Sequence, residues 1–358
     1  MIRDALPWIT CHQFPVLKAI QFTEPKSIKV IDLPDPSQPG PGEALVRTHR
    51  MGICGTDLSG YLGKMPFFSY PRIPGHELGL EVLAVGDEVT NIKVGDKCSL
   101  EPYVNDPEST TSKKGSSNCC PGVQVLGVHT DGGLRGEWIC PARKLHIGND
   151  LSYDQLALVE TLAIGYHAVV RADPQPGETV LVIGAGPIGL ACLEFLKLRD
   201  INIIVMDMVE GRLQFCHEKL GIPHTVVFNP DGSHLAELEK ITGGELANVV
   251  IDATGSAKSM STCFEYAAFT GRVVYVGITT ELLSFPHAAV LHRRELTLLA
   301  SRNALPADFG NIIALIAEGS IDTDVWITDR LAFDDVPADF AAFTDPSRGT
   351  VKAIIDVS

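Results

Sequence analysis

Two short stretches of the sequence carry residue types that could bind a metal ion. The first, "GICGTDLSG", contains Cys54, Thr56 and Asp57, and the second, "PRIPGHELGLEV", contains His76 and Glu77. A thiolate, an imidazole and a carboxylate are a tetrahedral zinc donor set, and three protein ligands leave one position open for a substrate. Taken alone, each residue has a simpler interpretation as a buried thiol, a core histidine or a surface carboxylate. The combination with a nucleotide-binding pattern favours the metal site.

That pattern is "TVLVIGAGPIGL", which has the glycine spacing of a dinucleotide-binding turn. Gly184 permits the tight turn, Gly186 permits close approach of a pyrophosphate, and Gly189 permits close packing of a helix on a sheet. The next apolar run ends at Asp207, eighteen residues after Gly189. A carboxylate there binds the adenosine ribose hydroxyls and repels a 2′-phosphate, which favours NAD over NADP. Arg212 could stack on the adenine and keeps NADP as an alternative, and a glycine-rich turn beside a solvated aspartate is the simpler interpretation.

These stretches lie in regions with different secondary-structure patterns. Residues 16–150 contain short strand-like runs separated by turns such as "PDPSQPGPGE", which indicates a β-rich module. The segment "YDQLALVETLAIGYHAVVRA" has helical spacing. Beyond it, continuous apolar runs alternate with helical segments, which is typical of a parallel sheet covered on both faces. We therefore predict a catalytic domain over 1–172, a six-stranded doubly wound α/β sheet over 173–300, and a return to the catalytic domain over 301–358.

Composition excludes several classes of partner. The 358 residues carry a net charge of -15, so nucleic acid and anionic membranes are not expected to bind. No apolar stretch is long enough to span a membrane, and the N-terminal segment "MIRDALPWITCHQFP" lacks the apolar run of a signal peptide. The nine cysteines are scattered through apolar segments and resemble buried free thiols. We expect a cytoplasmic homodimer or homotetramer that acts on a small molecule.

Several motifs in order along the chain resemble the zinc-dependent medium-chain alcohol dehydrogenase superfamily, in its polyol and sugar-acid branch. They are "GICGTD", "GHE", "AVGDEV", "VGDK", "GVHTDGG", "VETLAIGYHAV", "GAGPIG" and "VKAIID", and the resemblance covers residues 16–358. The resemblance implies a GroES-like β-rich catalytic domain, a Rossmann domain and an active site in the cleft between them. It also implies NAD and one catalytic zinc ion per chain.

The resemblance further assigns the metal ligands. Cys54 and His76 match two zinc ligands, and Glu77 matches the carboxylate that completes the site. Glu160 matches a glutamate that lies near zinc as a direct ligand or through water, so either glutamate is a candidate for the third ligand. Asp57 resembles the carboxylate that holds His76 in its metal-binding tautomer. The family has proline after this second glutamate, whereas this chain has threonine.

The resemblance also assigns catalytic and cofactor-binding residues. Zinc would lower the pKa of a secondary hydroxyl, Thr56 would accept its proton, and hydride would pass to the nicotinamide. Many relatives have histidine where this chain has Ser59, so Ser59, a ribose hydroxyl or water must complete the proton relay. Glu160 is the third predicted catalytic residue. The predicted cofactor-binding residues are Gly184, Gly186, Pro187, Ile188, Gly189, Asp207, Arg212, Thr254, Gly255, Val276 and Gly277.

The substrate is suggested by "GVHTDGG" and "SRNA", which are similar to segments of sugar-acid and polyol dehydrogenases. Arg302 and Asn303 match positions that line the cleft. Arg302 could pair a substrate carboxylate bidentately, or it is an ordinary surface or interface arginine. L-Threonine, a secondary alcohol with a carboxylate, is the alternative substrate, and an NAD-binding sensor without turnover is the alternative function.

The polar stretch "DPESTTSKKGSSNCC" lies where the family has a lobe with a structural zinc held by four cysteines. The matching positions here are Asp106, Ser109, Ser112 and Cys120. One thiolate, an aspartate and two hydroxyls are a poor zinc site, so we expect a lobe without structural zinc. A site built from Cys119, Cys120 and other partners is the alternative.

Overall fold

The computed structural model describes residues 17–357, which form two large β-sheets. The N-terminal segment that contains Cys11, where we predict no signal peptide, lies outside these residues. The strands are β1 (Leu17–Glu24), β2 (Ser27–Leu33), β3 (Glu43–Gly52), β4 (Glu77–Val85), β5 (Lys97–Leu100), β6 (Tyr103–Val104), β7 (Gln124–Val125), β8 (Glu137–Pro141), β9 (Leu145–Ile147), β10 (Thr179–Ile183), β11 (Asn202–Asp207), β12 (His224–Val227), β13 (Ala247–Asp252), β14 (Ala267–Tyr275), β15 (Thr297–Ala300), β16 (Ile327–Ala332) and β17 (Lys352–Asp356).

Helices connect and cover these strands. The α-helices are α1 (Gly55–Tyr61), α2 (Thr110–Lys113), α3 (Tyr153–Ala172), α4 (Pro187–Leu196), α5 (Glu210–Leu220), α6 (Ser233–Ile241), α7 (Ala257–Thr262), α8 (Pro306–Ala317) and α9 (Val336–Asp339). Short 3₁₀ helices lie at Ser117–Cys119, Ala142–Lys144, Cys263–Tyr266, Asp324–Trp326, Phe333–Asp335, Phe340–Thr344 and Pro346–Arg348, and a π-helical turn lies at His287–His292. None of the helices among residues 17–357 is long and apolar enough to cross a membrane.

The first sheet has seven strands and carries the predicted metal ligands. Its order is β16-β17-β3-β4-β5-β9, and β8 pairs with β3 beside this path. Along β3, Ala44, Val46 and Thr48 are buried and alternate with partly exposed residues, as expected of a strand with one face in a core. The C-terminal strand β17 runs antiparallel to β3. The last strand of the described chain therefore completes the sheet that begins with β3.

The second sheet has six parallel strands in the order β12-β11-β10-β13-β14-β15. This is the order of a doubly wound nucleotide-binding sheet, and the predicted fold class is confirmed. Its central strands are buried on both faces because α-helices cover the sheet on each side; Leu181, Val205 and Val250 have no exposed surface. The exact residue boundaries of the domains stay predictions.

Helix α3 packs on both sheets and positions Glu160. Oγ of Ser152 accepts the backbone N–H of Gln155, and Oε1 of Gln155 accepts the backbone N–H of Ser152, so a capping box begins the helix. Gly79 of β4 lies against its first turn, where a Cβ would stand 2.2 Å from the carbonyl oxygen of Tyr153. A larger residue at this glycine would push the helix away from the sheet.

Candidate active site

Cys54 is placed by the junction between β3 and α1. The strand ends at Gly52, and Cys54 is the N-cap residue of the helix. Its backbone N–H donates to Oδ2 of Asp57 at 3.0 Å, so the helix start fixes the thiol in a half-buried position.

His76 and Glu77 are placed by the start of β4, next to Cys54. Gly52 and Glu77 are direct partners in the β3–β4 register. A Cβ on Gly52 would lie 2.1 Å from Oε2 of Glu77, so only glycine leaves room for that carboxylate. The ligand atoms of Cys54, His76 and Glu77 all lie within 4.8 Å of one another. Thiolate, imidazole and carboxylate at this spacing fit a zinc ion.

Asp57 faces His76, although it does not hydrogen-bond the ring. Oδ1 of Asp57 lies 3.7 Å from Nδ1 of His76, and both atoms are buried without a hydrogen-bond partner among the described residues. Burial by itself lowers the pKa of His76, but the charges of Asp57 and then Cys54 outweigh it and raise that pKa well above its usual value. Because Nδ1 points to Asp57, Nε2 is the nitrogen left for a metal ion.

Lys352 is a residue of the site that our sequence reasoning missed. Its Nζ lies 2.7 Å from each carboxylate oxygen of Glu77, and both side chains are 1% exposed. Burial opposes ionisation of both groups, yet the mutual attraction raises the pKa of Lys352 and lowers the pKa of Glu77. A lone lysine within the apolar strand "VKAIID" was the available signal, since such a cation must find a buried partner.

Thr161 occupies the position where the family has proline, and its hydroxyl takes part in the hydrogen bonds of the site. Its Oγ1 accepts a bond from Nζ of Lys352 at 3.1 Å, and the Thr161 side chain helps to lower the pKa of Glu77. The Lys352 ammonium is further bound by the carbonyl oxygen of Ile53 at 3.3 Å. A proline at this position could not supply the hydroxyl.

Glu160 lies on α3 and is held by Tyr103. The Tyr103 hydroxyl donates a hydrogen bond to Oε1 of Glu160, and both side chains are buried. Burial, reinforced by the charge of Glu77, raises the pKa of Glu160. Glu160 is not among the three groups whose ligand atoms converge within 4.8 Å.

Thr56 and Ser59 lie on α1, three residues apart and therefore on one side of the helix. Both are half-buried, and Thr56 follows Cys54 by two residues.

The glycine-rich turn lies at the carboxyl edge of the parallel sheet, between β10 and α4. Gly184 has φ of 96°, which favours glycine, and a Cβ on Gly189 would stand 1.8 Å from the carbonyl oxygen of Gly184. By contrast, a Cβ on Gly186 would meet nothing within 4 Å, so this glycine opens space in front of the N-terminus of α4. Pro187 and Ile188 form the first turn of that helix. This cradle fits a pyrophosphate.

Asp207 ends β11 beside this turn. Its Oδ2 accepts the N–H of Ala185 at 2.7 Å, and its Oδ1 accepts the N–H of Val209 at 2.8 Å. Each oxygen keeps a further lone pair for a ligand hydroxyl. Arg212 on α5 lies 4.0 Å from Oδ2 of Asp207.

The remaining predicted cofactor-binding residues meet at the same edge. Thr254 packs against Gly184, where a Cβ would lie 3.1 Å from its Cγ2. A Cβ on Gly277 would lie 2.2 Å from the backbone nitrogen of Gly255, so the loops after β13 and β14 touch. Val276 is buried beneath them. The structure brings these loops together with the glycine-rich turn.

Arg302 and Asn303 follow β15, and Arg302 is exposed. Burial, and then the charges of Arg302 and Arg72, lower the pKa of His129, a residue of the "GVHTDGG" motif. The loop that carries His129 packs on the residue before His76: a Cβ on Gly127 would lie 2.8 Å from the nitrogen of Gly75. His129 is a site neighbour that the sequence motif contained but that we did not single out.

The lobe positions that match structural-zinc ligands are joined by hydrogen bonds. The Ser109 hydroxyl bonds the carbonyl oxygen of Asp106 at 3.0 Å and the hydroxyl of Ser112 at 2.8 Å. A hydrogen bond from Ser109 also lowers the pKa of the Cys120 thiol. Asn105 adds a bond to Ser112 at 2.9 Å.

Two family models match the chain. The alcohol dehydrogenase GroES-like domain matches residues 40–149, and the zinc-binding dehydrogenase model matches residues 187–318.

Individual proteins are similar over nearly the whole chain. L-Galactonate-5-dehydrogenase of Escherichia coli K12 is 36% identical over 318 residues, which cover 88% of this chain and 92% of that protein. Sorbitol dehydrogenase of Bacillus subtilis 168 is 29% identical and covers 89% of this chain and 91% of its own. The crystal structure of the alcohol dehydrogenase RspB from E. coli CFT073 with NADH has a TM-score of 0.87 at 27% identity, covering 95% and 99% of the two chains.

Proposed function

The chain belongs to the zinc-dependent medium-chain alcohol dehydrogenase family, and from this premise we propose that it oxidises a secondary hydroxyl of a polyol or sugar acid with NAD. The observation that carries the proposal is the convergence of Cys54, His76 and Glu77, in a chain that also presents a dinucleotide cradle. When bound, zinc lowers the pKa of the substrate hydroxyl and NAD accepts the hydride.

Thr56 accepts the proton of the substrate hydroxyl in this proposal. It lies two residues after Cys54 on α1, on the side of the helix that also presents Ser59. Ser59 passes the proton onward, through water or a ribose hydroxyl, because this chain has no histidine at that position. Loss of either hydroxyl should therefore reduce turnover more than it changes substrate affinity.

In this proposal Glu77 is the carboxylate that binds zinc, and Glu160 lies beside the site on α3 without being a ligand. The argument is distance, because a Glu77 oxygen lies within 4.8 Å of the Cys54 sulfur and a His76 nitrogen. Glu160 is not among the groups that converge at this distance, and its Oε1 accepts a hydrogen bond from Tyr103. Glu77→Gln should therefore lower zinc content more than Glu160→Gln, and equal losses would contradict the assignment.

Asp207 sets the preference for NAD, since its carboxylate stands at the end of β11 with lone pairs left for ribose hydroxyls.

Arg302 sets the preference for a substrate with a carboxylate. Its guanidinium has no ion-pair partner among residues 17–357, and after burial its charge is the next cause that lowers the pKa of His129. The similarity to an L-galactonate dehydrogenase supports a sugar acid.

The enzyme is a homo-oligomer formed through β15. This strand is the edge of the six-stranded sheet, and its backbone can pair with a second copy. Leu298 on the strand, with Ile278 and Leu282 before it, is exposed. Light scattering should give twice or four times the chain mass.

The enzyme acts in the cytoplasm, which fits eight free cysteines among the described residues and is testable by cell fractionation.

A substrate panel tests the function. Polyols, aldonates and L-threonine are each incubated with zinc-loaded enzyme and NAD or NADP, and the absorbance of the reduced cofactor is followed. The proposal expects the highest kcat/KM for an aldonate or polyol with NAD. A protein that binds NAD and zinc but reduces no cofactor with any compound would instead be a sensor.

A further inference from the structure

A buried hydrogen-bond network connects the lobe to the segment that carries Arg302. It begins at Asn118, which lies in the 3₁₀ helix Ser117–Cys119. Nδ2 of Asn118 donates to the carbonyl oxygen of Arg302 at 2.8 Å and lies 3.2 Å from Nε2 of His167. The backbone carbonyl of Asn118 accepts from the Asn303 side chain at 3.4 Å. The lobe therefore contacts both predicted substrate residues directly.

Asp308 fixes the orientation of His167 within this network. Oδ2 of Asp308 lies 3.0 Å from Nδ1 of His167 and accepts the N–H of Leu305 at 2.8 Å. An ionised carboxylate only accepts, so Nδ1 carries the proton and Nε2 accepts from Asn118. All three side chains are buried. The network therefore hydrogen-bonds the segment 302–305 at its first residue, Arg302, and at its last, Leu305.

The segment turns sharply at Asn303. Asn303 has φ of 51°, in the left-handed region that asparagine adopts more readily than other residues with a side chain. This turn directs Arg302 outward between β15 and α8. The loop that carries His129 packs on Gly75 beside the metal ligands, and the charge of Arg302 adds to burial in lowering the pKa of His129.

We propose that Asn118, His167 and Asp308 are positioning residues for the substrate, and that the lobe serves to anchor Arg302. The inference rests on the proposed function for its substrate, a sugar acid whose carboxylate Arg302 binds. It assigns the lobe a task in substrate selection: Asn118 holds the backbone of Arg302, and the His167–Asp308 pair holds Asn118. None of the three touches the reacting atoms.

The test compares Asn118→Ala with Asn105→Ala. Both asparagines are buried, Asn118 in the lobe and Asn105 directly before it, and each makes two side-chain hydrogen bonds. Asn105, however, bonds Ser112 and Arg143 rather than the 302–305 segment. We expect Asn118→Ala to raise KM for an aldonate about tenfold, the worth of about one hydrogen bond. The kcat, and the KM for the matching neutral polyol, should change less than about twofold, because only the carboxylate contact is displaced.

Hydrogen–deuterium exchange provides a readout that does not need turnover. The peptide containing residues 301–305 should exchange faster in Asn118→Ala and at the wild-type rate in Asn105→Ala. Unchanged exchange in Asn118→Ala, or equal changes in both variants, overturns the anchor. Faster exchange with an unchanged aldonate-to-polyol KM ratio overturns its role in substrate selection. Turnover of neither compound by the wild-type enzyme instead refutes the proposed function, and the exchange data then decide the anchor alone.

Discussion

Replacing Lys352 by methionine tests the electrostatic balance of the metal site. The ammonium of Lys352 faces both oxygens of Glu77, and the substitution keeps most of the side-chain volume while removing the charge. Glu77 would then be a buried carboxylate without its ion-pair partner, and in the metal-free protein only the protonated His76 ring would remain near it as a cation. We expect a large loss of stability in that state, and a smaller loss when zinc supplies positive charge.

The size of the effect follows from distance and burial. At 2.7 Å and an effective dielectric constant of about 20, the attraction within the pair is about 6 kcal/mol. The cost of burying both charges offsets part of it, and removal of one partner from a buried pair costs about 3–5 kcal/mol. Lys113→Met is the matched control, because Lys113 pairs with Glu108 at 2.8 Å but the side chains are 59% and 80% exposed. That change should cost less than about 1 kcal/mol.

The assay is urea unfolding of metal-free and zinc-loaded protein. Lys352→Met should lose about 3–5 kcal/mol without zinc, and Lys352→Met/Glu77→Gln should recover most of it because no charge is left unpaired. Lys352 more than offsets the effect of burial and lowers the pKa of Glu77. The wild-type pair is therefore fully stabilising above the usual glutamate pKa and is lost as pH falls through the lowered one. The free energy of unfolding of Lys352→Met should accordingly fall less than that of the wild type as the pH is lowered.

The reasoning is refuted if metal-free Lys352→Met unfolds within about 1 kcal/mol of the wild type, as the exposed control should. That result would mean that Glu77 is neutral in the folded protein or that solvent reaches it.

Three further predictions concern the two cofactors. Asp207→Ser should raise kcat/KM for NADP relative to NAD, because the repulsion of the 2′-phosphate is removed; steady-state kinetics that already favour NADP in the wild type would contradict this. Cys54→Ser or His76→Ala should abolish zinc binding and activity while NADH titration stays normal, since the cofactor cradle lies on the other sheet; a variant that keeps its zinc and turnover is the opposing result. Replacing Cys119 and Cys120 together by serine should leave about one zinc per chain by elemental analysis and lower the melting temperature by only a few degrees, and loss of a zinc ion would falsify the view that these thiols hold no metal.

The parts of the fold that local sequence specifies were predictable. The run from β10 into α4 contains its own turn glycines, and its continuous apolar strand indicates a buried parallel sheet. Cys54 and His76 were predictable from the motifs around them, and the structure places them together.

The partners that complete the site were not predictable in the same way. Lys352 is 275 residues from Glu77, and Asp308 is 141 residues from His167. Nothing in the local pattern of either segment names its partner, because a buried charge requires a counter-charge but does not say where in the chain it lies. The burial of Asn118 could not be predicted for a further reason, because Asn118 lies in a polar stretch that resembles a solvent-exposed loop.

The pairing of β17 with β3 has a consequence for how the protein is made on the ribosome. β3, α1 and β4 leave the exit tunnel early, but the strand that covers β3 and carries the Lys352 charge is translated 275 residues after Glu77. The parallel sheet, whose strands all lie between Thr179 and Ala300, emerges complete before that strand exists. Until β17 is translated, β3 therefore lacks one of its partner strands and Glu77 lacks its ion-pair partner. The first sheet is thus the first to be started and the last to be completed.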